Sequence, residues 1–154
     1  MRHVRTASRT GSSRVTERNG HRPYRCPVEV RWGDSDRLGH VNNAKIVEYL
    51  QEGRIKFFRS ELPARDAVVL RKMDVEFLRP IKDSSAPIEV ETTVLSLGTS
   101  SFTVRQTILD RDGVVCAVAD TVLVGFDPET DTSQPLTDEV RAVLDRHRAI
   151  TPTG

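Results

Sequence analysis

Two carboxylates, an imidazole and two amides stand close together in one stretch of this sequence, Gly33-Asp34-Ser35-Asp36-Arg37-Leu38-Gly39-His40-Val41-Asn42-Asn43. The glycines and polar residues predict a loop, and asparagine is a favoured helix cap. Unpaired N–H groups and the dipole at a helix N-terminus favour a developing negative charge, such as the oxyanion of an attacked carbonyl. A carboxylate held nearby can attack that carbonyl or deprotonate a water molecule. On spacing alone, however, the better interpretation is structural: Asp34 and Asp36 make turns and Asn43 caps the helix.

Other kinds of site have little support in the sequence. It contains no glycine-rich dinucleotide fingerprint, no P-loop and no GxSxG elbow. The four histidines are not spaced with a cysteine or with one another as zinc ligands. Asp34-Ser35-Asp36 imitates the start of a calcium loop, but Leu38 and Lys45 stand where that loop needs oxygen ligands. Basic residues interleaved with aromatic ones are absent from the predicted folded part. We therefore expect no metal, no organic cofactor and no nucleic-acid partner.

Charge is distributed unevenly along the chain. The formal net charge is +1, but residues 1–25 carry seven Arg and one Glu, a net of +6, which leaves −5 for residues 26–154. The first residues offer little apolar material, which predicts a disordered basic tail over residues 1–23. No apolar run approaches the roughly 20 residues of a membrane span. Cys26 and Cys116 cannot form a disulfide scaffold and no secretory signal is visible, so we expect a reduced, cytoplasmic protein.

Hydrophobic periodicity predicts one long helix and several strands. Alternating apolar residues indicate a first strand over residues 26–32, with Trp32 on the buried face. Apolar residues at helical spacing then predict a helix over residues 44–61. Period two returns afterwards, and strands are expected over residues 69–81, 88–94, 102–108 and 114–126, followed by a short helix after Thr137. The buried face of the strand after the helix is predicted to carry Val69, Met73, Val75, Phe77 and Ile81. One helix lying across one antiparallel sheet is an α+β arrangement.

The stretch over residues 30–43 closely resembles the signature of the 4-hydroxybenzoyl-CoA thioesterase-like acyl-CoA thioesterases, which have the hotdog fold. Three further segments match in order: residues 48–54, residues 75–81 and Ser100-Ser101. The resemblance implies an α+β hotdog fold, one long helix wrapped by a five-stranded antiparallel sheet. It places the hotdog thioesterase domain at residues 24–128, after the tail over residues 1–23. Residues 129–154 remain as a C-terminal extension with the short helix.

The resemblance also implies roles for individual residues. The family's catalytic carboxylate is the second acid of the pair, here Asp36, and the oxyanion-stabilising N–H comes from the helix N-terminus, here Asn43. Four positions are assigned to substrate binding: Gly39, His40, Arg79 and Ser101. We interpret Asp34 as a structural acid. His40 has no carboxylate partner evident in the sequence, so for it we favour a packing role over that of a general base.

The predicted function is hydrolysis of an acyl-CoA thioester to a free acid and CoA. The same chemistry on acyl-carrier-protein substrates is an alternative, and so is a non-catalytic acyl-binding module that keeps the fold. The family's sites lie at a dimer interface, between the helix start of one subunit and the sheet of its partner. Because an open sheet also has unpaired edges, we expect a homodimer or a homotetramer.

Overall fold

A long helix packs against one face of an antiparallel sheet in the computed structural model, which describes residues 22–149. The strands are β1 (Tyr24–Val28), β2 (Ala67–Phe77), β3 (Ile88–Leu97), β4 (Ser101–Leu109), β5 (Val115–Asp127) and the two-residue β6 (Thr132–Ser133). The helices are α1 (Asn43–Glu61) and α2 (Asp138–Arg146), and short 3-10 turns occupy Trp32–Asp34 and Asp83–Ser85. In the described range, neither α-helix is long and apolar enough to cross a membrane. The predicted tail lies outside the described residues up to residue 21.

The sheet has the strand order β1-β3-β4-β5-β2, and every neighbouring pair is antiparallel. The short β6 pairs with the end of β5. Although β2 follows α1 directly in the chain, it forms one edge of the sheet. The predicted α+β arrangement, with one long helix against a five-stranded antiparallel sheet, is confirmed.

One face of α1 fixes the helix to the sheet. Asn42 caps the helix, and not Asn43 as the sequence suggested, because the Asn42 side-chain Oδ1 accepts the N–H of Ala44 at 2.8 Å and Asn43 is already the first helical residue. The buried residues of the helix recur at helical spacing and are Ile46, Tyr49, Leu50, Gly53, Arg54 and Phe57. Ile46, Tyr49 and Leu50 pack in one cluster with inward side chains of the sheet such as Val90 and Ile108. Burying each large apolar side chain contributes about 1.5–3 kcal/mol, so the helix start is held firmly relative to the strands.

The second helix closes the core at the C-terminal half of α1. Thr137 caps α2, since its Oγ1 accepts the N–H of Val140 at 3.2 Å. Buried residues of α2 pack in one cluster with Phe57 and Phe102. Beyond the helix, Val94 of β3 exchanges backbone hydrogen bonds of 2.9 and 2.8 Å with residues 147 and 149. The start of α1 is left open at the other end of the sheet.

The first strand is shorter than predicted, and the expectation for Trp32 was wrong. β1 ends at Val28, and Trp32 lies in a 3-10 turn with 90% of its surface exposed. The neighbouring strand β3 begins at Ile88, which pairs with Val28, so no partner strand remains beyond that point. The apolar alternation therefore continues past the end of the strand.

The predicted buried face of β2 is wrong at its start. The pairing of β2 with β5 shifts register between Leu70 and Lys72, so Arg71 is the extra residue of a bulge. Because side chains alternate between the two faces, the bulge puts Val69 on the face opposite to Met73. A single extra residue has reversed the face for the first part of the strand.

The core position predicted for Phe77 is also wrong, because this side chain is 45% exposed. Phe77 ends β2, and β2 is an edge strand with no neighbour on one side among the described residues. Phe102, an aromatic residue of the central strand β4, is buried, with 1% exposed. Ile81 is likewise fully buried.

Candidate active site

The predicted loop and the start of α1 form one wall of a groove of about 460 Å³. The residues of this wall are Asp36, His40, Val41, Asn42, Asn43 and Ile46. The other wall is the end of β2 and the segment after it, with Phe77, Leu78, Arg79 and Pro80. The groove thus brings together four of the predicted site residues: Asp36, His40, Asn43 and Arg79.

The Asp36 carboxylate is held by its own loop through one oxygen. Its Oδ1 accepts the backbone N–H of Leu38 at 2.8 Å and that of His40 at 3.1 Å. The Asp36 N–H donates to the His40 carbonyl at 2.7 Å, which closes the loop. No group in residues 22–149 donates a hydrogen bond to Oδ2, and Asp36 is exposed. One oxygen therefore fixes the side chain, and the other is available in the groove.

A free backbone N–H lies at the start of α1. The Asn42 side chain accepts the N–H of Ala44, and the Asn42 carbonyl accepts those of Lys45 and Ile46. The Asn43 N–H donates to no group within the described range, as is usual for the first residue of a helix. Because Asn43 lines the groove, this N–H and the positive end of the helix dipole can stabilise an oxyanion there.

Asp34, the first acid of the pair, does not line the groove and is only 6% exposed. Its Oδ2 accepts the Tyr49 hydroxyl at 2.5 Å and the Arg31 N–H at 3.3 Å. The hydrogen bond from Tyr49 holds the pKa of the Asp34 carboxyl below its usual range, against the opposite effect of burial. Burial, together with the same hydrogen bond, raises the pKa of the Tyr49 hydroxyl. These contacts hold Asp34 inside the fold and away from the groove.

His40 and Arg79 present groups to the groove that have no side-chain partner in the described chain. The half-buried His40 imidazole makes no hydrogen bond within residues 22–149, so no carboxylate there orients it as a general base. The exposed Arg79 side chain forms no ion pair in the same range, while its backbone N–H donates to the Cys116 carbonyl at 3.0 Å. The groove therefore has an uncompensated guanidinium at its rim.

Ser101 and Gly39 do not line the groove of their own chain. Ser101 begins β4 and is level with Val124 of β5, which pairs in turn with Val69 at the start of β2. The groove lies at the opposite end of β2. Gly39 shapes the loop instead: its φ is +74°, and its N–H donates to the Asp36 carbonyl at 3.1 Å.

Neither the apolar part of the groove nor the partner of Asp34 was predicted from the sequence. Ile46, Phe77 and Leu78 supply apolar surface beside Asp36, but periodicity assigned such residues only to the core. The Arg79-Pro80 pair, which ends the predicted strand, was the available signal that the chain leaves the sheet here. Tyr49 had no signal beyond its helical spacing.

The matches to known proteins agree with this geometry. A family model described as the thioesterase-like superfamily matches residues 30–144, which include the loop, α1 and β2 to β5. The chain belongs to the thioesterase-like superfamily. The family predicted from the sequence is confirmed, and so is its hotdog fold.

Other thioesterases are similar to this superfamily member over most of their length. The acyl-CoA thioester hydrolase YbgC of Escherichia coli O6:H1 is 28% identical over 112 residues, 68% of this chain and 83% of that protein. A thioesterase from Thermus thermophilus, crystallised with coenzyme A and Zn, is 32% identical with a TM-score of 0.70 and covers 81% of this chain and 97% of its own. A predicted thioesterase from Bacillus stearothermophilus is 25% identical with a TM-score of 0.75. The match covers 83% of this chain and 98% of that protein.

Metal-ligating side chains are not clustered in the part of this superfamily member that the structure describes. No group of three or more His, Cys, Asp or Glu residues there is arranged to hold a metal ion. The groups that the groove offers to a substrate are a carboxylate, a backbone N–H, an imidazole and a guanidinium.

Proposed function

We propose that this protein hydrolyses acyl-CoA thioesters to free acids and CoA. One observation carries the proposal: the Asp36 carboxylate, with a free Oδ2, and the unpartnered Asn43 N–H line the same groove. Thioester hydrolysis needs an attacking or proton-accepting group together with a donor for the oxyanion, and this pair supplies both. Further support comes from YbgC, named as an acyl-CoA thioester hydrolase, and from the Thermus thioesterase complexed with coenzyme A.

Asp36 is proposed as the catalytic residue that acts on a water molecule. Its Oδ2 takes a proton from the water while the water oxygen bonds to the thioester carbon. The carbonyl electron pair moves to oxygen, where the Asn43 N–H and the helix dipole stabilise the negative charge. When the intermediate collapses, the C–S bond breaks and the CoA thiolate takes the proton from Asp36. The products are the acid and free CoA.

A second route uses the same two groups. The Asp36 Oδ2 attacks the thioester carbon directly, the CoA thiolate leaves, and a mixed anhydride forms on the carboxylate. Water then hydrolyses the anhydride, which releases the free acid and restores the Asp36 carboxylate, and the proton lost from water goes to the CoA thiolate. Because both routes need Oδ2 and the oxyanion donor, one substitution at Asp36 tests them together.

The remaining groove residues are proposed to bind the two parts of the substrate. Ile46, Phe77 and Leu78 offer apolar surface to the acyl group next to Asp36. The uncompensated Arg79 guanidinium suits a phosphate of CoA, since planar Arg donors bind phosphate oxygens well. His40 lines the groove and is proposed to contact the thioester end of the substrate, and Gly39 is proposed to serve substrate binding by shaping the loop that carries His40.

A second copy of the chain is proposed to complete the site. β2 has eleven residues, and its outer edge is unpaired within the described chain. Apolar side chains along and after it are exposed by 39–53%, namely Val69, Leu70, Phe77 and Leu78. Exposed strand edges with apolar side chains invite pairing with another strand. We therefore infer that β2 pairs with the β2 of a partner in a homodimer, with a homotetramer as the larger alternative.

Symmetric pairing of β2 explains how Ser101 can belong to the site. An antiparallel pair centred on Met73 puts the start of β2 of one subunit, with Val69, beside the end of β2 of the partner subunit, which lines the partner's groove. Ser101 is in the same row as Val69 across the sheet. Ser101 therefore lies at the end of the sheet that is next to the partner's groove in this arrangement. Its proposed contact is with a substrate in that groove.

The decisive experiment is free-thiol release from a panel of acyl-CoA thioesters, from short to long chains and including aromatic acyl groups. The Asp36→Asn variant should lose at least about 100-fold in kcat on the best substrate, because an amide neither accepts a proton from water nor forms an anhydride. The Asp34→Asn variant is the matched control and should lose less. Circular dichroism checks that both variants fold.

Each other outcome contradicts a definite part of the proposal. Hydrolysis of acyl-carrier-protein thioesters but of no acyl-CoA would change the substrate class. Binding of acyl-CoA without thiol release would indicate an acyl-binding module instead. Near-normal kcat in Asp36→Asn with collapse in Asp34→Asn would mean that the other carboxylate is catalytic.

A further inference from the structure

A buried hydrogen bond joins the loop that carries Asp36 to the helix that carries the oxyanion donor. Tyr49 is a fully buried residue of α1, and Asp34 is a buried residue of the loop. The Tyr49 hydroxyl donates to Asp34 Oδ2 at 2.5 Å. Hydrogen bonds to an ionised carboxylate are shorter and stronger than neutral ones. This hydrogen bond, called the tie below, therefore holds the loop and α1, which form one wall of the groove, firmly together.

The backbone of Asp34 extends this tie toward both reactive groups. Its carbonyl accepts the N–H of Asn42 at 2.9 Å, and Asn42 directly precedes Asn43. The next residue, Ser35, forms an isolated bridge with Val41, and Asp36 follows it. A displacement of Asp34 would therefore be transmitted to the Asp36 carboxylate and to the first N–H of α1.

A second side-chain contact to α1 comes from Arg31, which directly precedes Trp32 and the loop, and it is weaker. Arg31 pairs with Glu52 at 2.8 Å, but the Arg31 side chain is 49% exposed. Exposed ion pairs contribute little, typically about 0–1 kcal/mol. Neither Asp34 nor Tyr49 lines the groove. Their contact can therefore affect a bound substrate only by positioning the loop and the start of α1.

We propose that Tyr49 is a positioning residue whose hydroxyl, acting through Asp34, sets the Asp36 carboxylate relative to the Asn43 N–H. The catalytic part of this inference rests on the proposed function. Without the hydroxyl, the Arg31 N–H is the one hydrogen-bond donor left to the buried Asp34 carboxylate among residues 22–149, and the loop must move to hydrate the carboxylate. A shift of about 1 Å between reacting groups can cost on the order of 100-fold in rate.

The test compares two variants that each remove one tyrosine hydroxyl near α1. Tyr49→Phe removes the proposed tie. Tyr24→Phe is the matched control, because the Tyr24 hydroxyl contacts Ser60 Oγ at 3.0 Å near the other end of the same helix. We expect kcat on the best acyl-CoA to fall about 10- to 100-fold in Tyr49→Phe, with KM within about threefold of the wild-type value. Tyr24→Phe should keep the wild-type kcat.

Hydrogen exchange over residues 34–43 supplies a readout that needs no substrate. Loss of the tie should speed exchange of the Asn42 N–H, which the Asp34 carbonyl accepts, by about tenfold or more, and Tyr24→Phe should leave it unchanged. If the wild-type protein hydrolyses no acyl-CoA, the proposed function fails, but the exchange measurement still decides whether Tyr49 positions the loop.

Several outcomes would overturn the inference. Unchanged exchange and unchanged kcat in Tyr49→Phe would mean that the loop does not depend on the hydroxyl. An equal fall of kcat in Tyr24→Phe would mean that any loss of stability has this effect, and a rise of KM alone would indicate a binding role. If Tyr49→Phe does not fold, Asp34→Ala decides, because it removes the carboxylate that accepts the hydroxyl. Faster exchange with lower kcat then supports the inference, and wild-type behaviour overturns it.

Discussion

Gly53 of α1 lies so close to Val90 of β3 that no side chain fits between them. A Cβ built on Gly53 would stand 2.6 Å from Val90 Cγ1 and 2.9 Å from Val90 Cβ. Val90 is fully buried, and its branched side chain has little freedom to move away. Gly53→Ala gains about 1 kcal/mol in helix propensity, but overpacking a core costs roughly 1–3 kcal/mol. We predict a net loss of stability, measured as a lower Tm.

Gly33→Ala is the control for this prediction. Nothing lies within 4 Å of a Cβ built on Gly33, and its φ is not in the left-handed region. The Tm of this variant should stay close to that of the wild-type protein. A Gly53→Ala variant more stable than the wild type would mean that α1 can move away from β3 at little cost.

The lowered pKa of Asp34 predicts that acid weakens the fold. In the unfolded chain this carboxyl has the ordinary pKa of about 3.9, whereas the Tyr49 hydrogen bond lowers the pKa in the folded protein. The resulting stabilisation is present above the unfolded pKa and is lost as the pH falls through the folded pKa. Urea unfolding should show that wild type loses more stability than Asp34→Asn between about pH 5 and about pH 3. Parallel losses in the two proteins would contradict the prediction.

The regular elements were predictable because burial on one side dictates their period. The spacing of Ile46, Leu50 and Phe57 can bury these residues together only in a helix. The roles of Asp34 and Asp36 could not be obtained from spacing, since both acids stand in the same polar loop. What separates them is Tyr49, whose hydroxyl lies near only one of them once the chain has folded.

The edge strand β2 was the least predictable element. Nothing in the local sequence indicates that Arg71 is the extra residue of a bulge, because the bulge depends on the pairing with β5. The apolar residues Val69 and Phe77 were predicted as core positions, but they are 39% and 45% exposed in one chain. An apolar residue on an edge strand can belong to the core of its own chain or to an interface with another chain. The sequence alone does not distinguish these two cases.

Arg79→Gln should weaken substrate binding more than catalysis. The Arg79 guanidinium has no acidic partner among residues 22–149, and a charged hydrogen bond to a phosphate contributes about 1.5–3 kcal/mol. We expect KM for acyl-CoA to rise roughly 10- to 100-fold at low salt with a much smaller change in kcat. The KM of the variant should also depend less on salt than that of the wild type.

Arg59→Gln provides the matched control for Arg79. It removes the same charge from an exposed position near the end of α1, away from the groove. Its KM should equal the wild-type value. If both variants raise KM equally, the net charge of the protein matters and a specific phosphate contact at Arg79 does not.

Charge complementarity along β2 gives a direct test of the proposed homodimer. Lys72 and Asp74 are both exposed on this strand, one on each side of Met73. In an antiparallel pair centred on Met73, each Lys72 stands opposite Asp74 of the partner subunit, and the pair occurs twice by symmetry. Cross-strand charge pairs of this kind contribute about 0.2–1 kcal/mol each, and like charges destabilise by similar amounts.

Lys72→Glu therefore places two like-charged pairs at the centre of the proposed interface. Its dissociation constant, measured by sedimentation equilibrium, should rise about tenfold or more. Adding Asp74→Lys to the same chain restores opposite charges across the axis and should return the dissociation constant toward the wild-type value. Arg111→Glu makes the same change of charge in the turn between β4 and β5 and should leave it unaltered. A double variant as weak as Lys72→Glu would show that β2 does not pair in this register, and an equal weakening in Arg111→Glu would show that net charge alone has this effect.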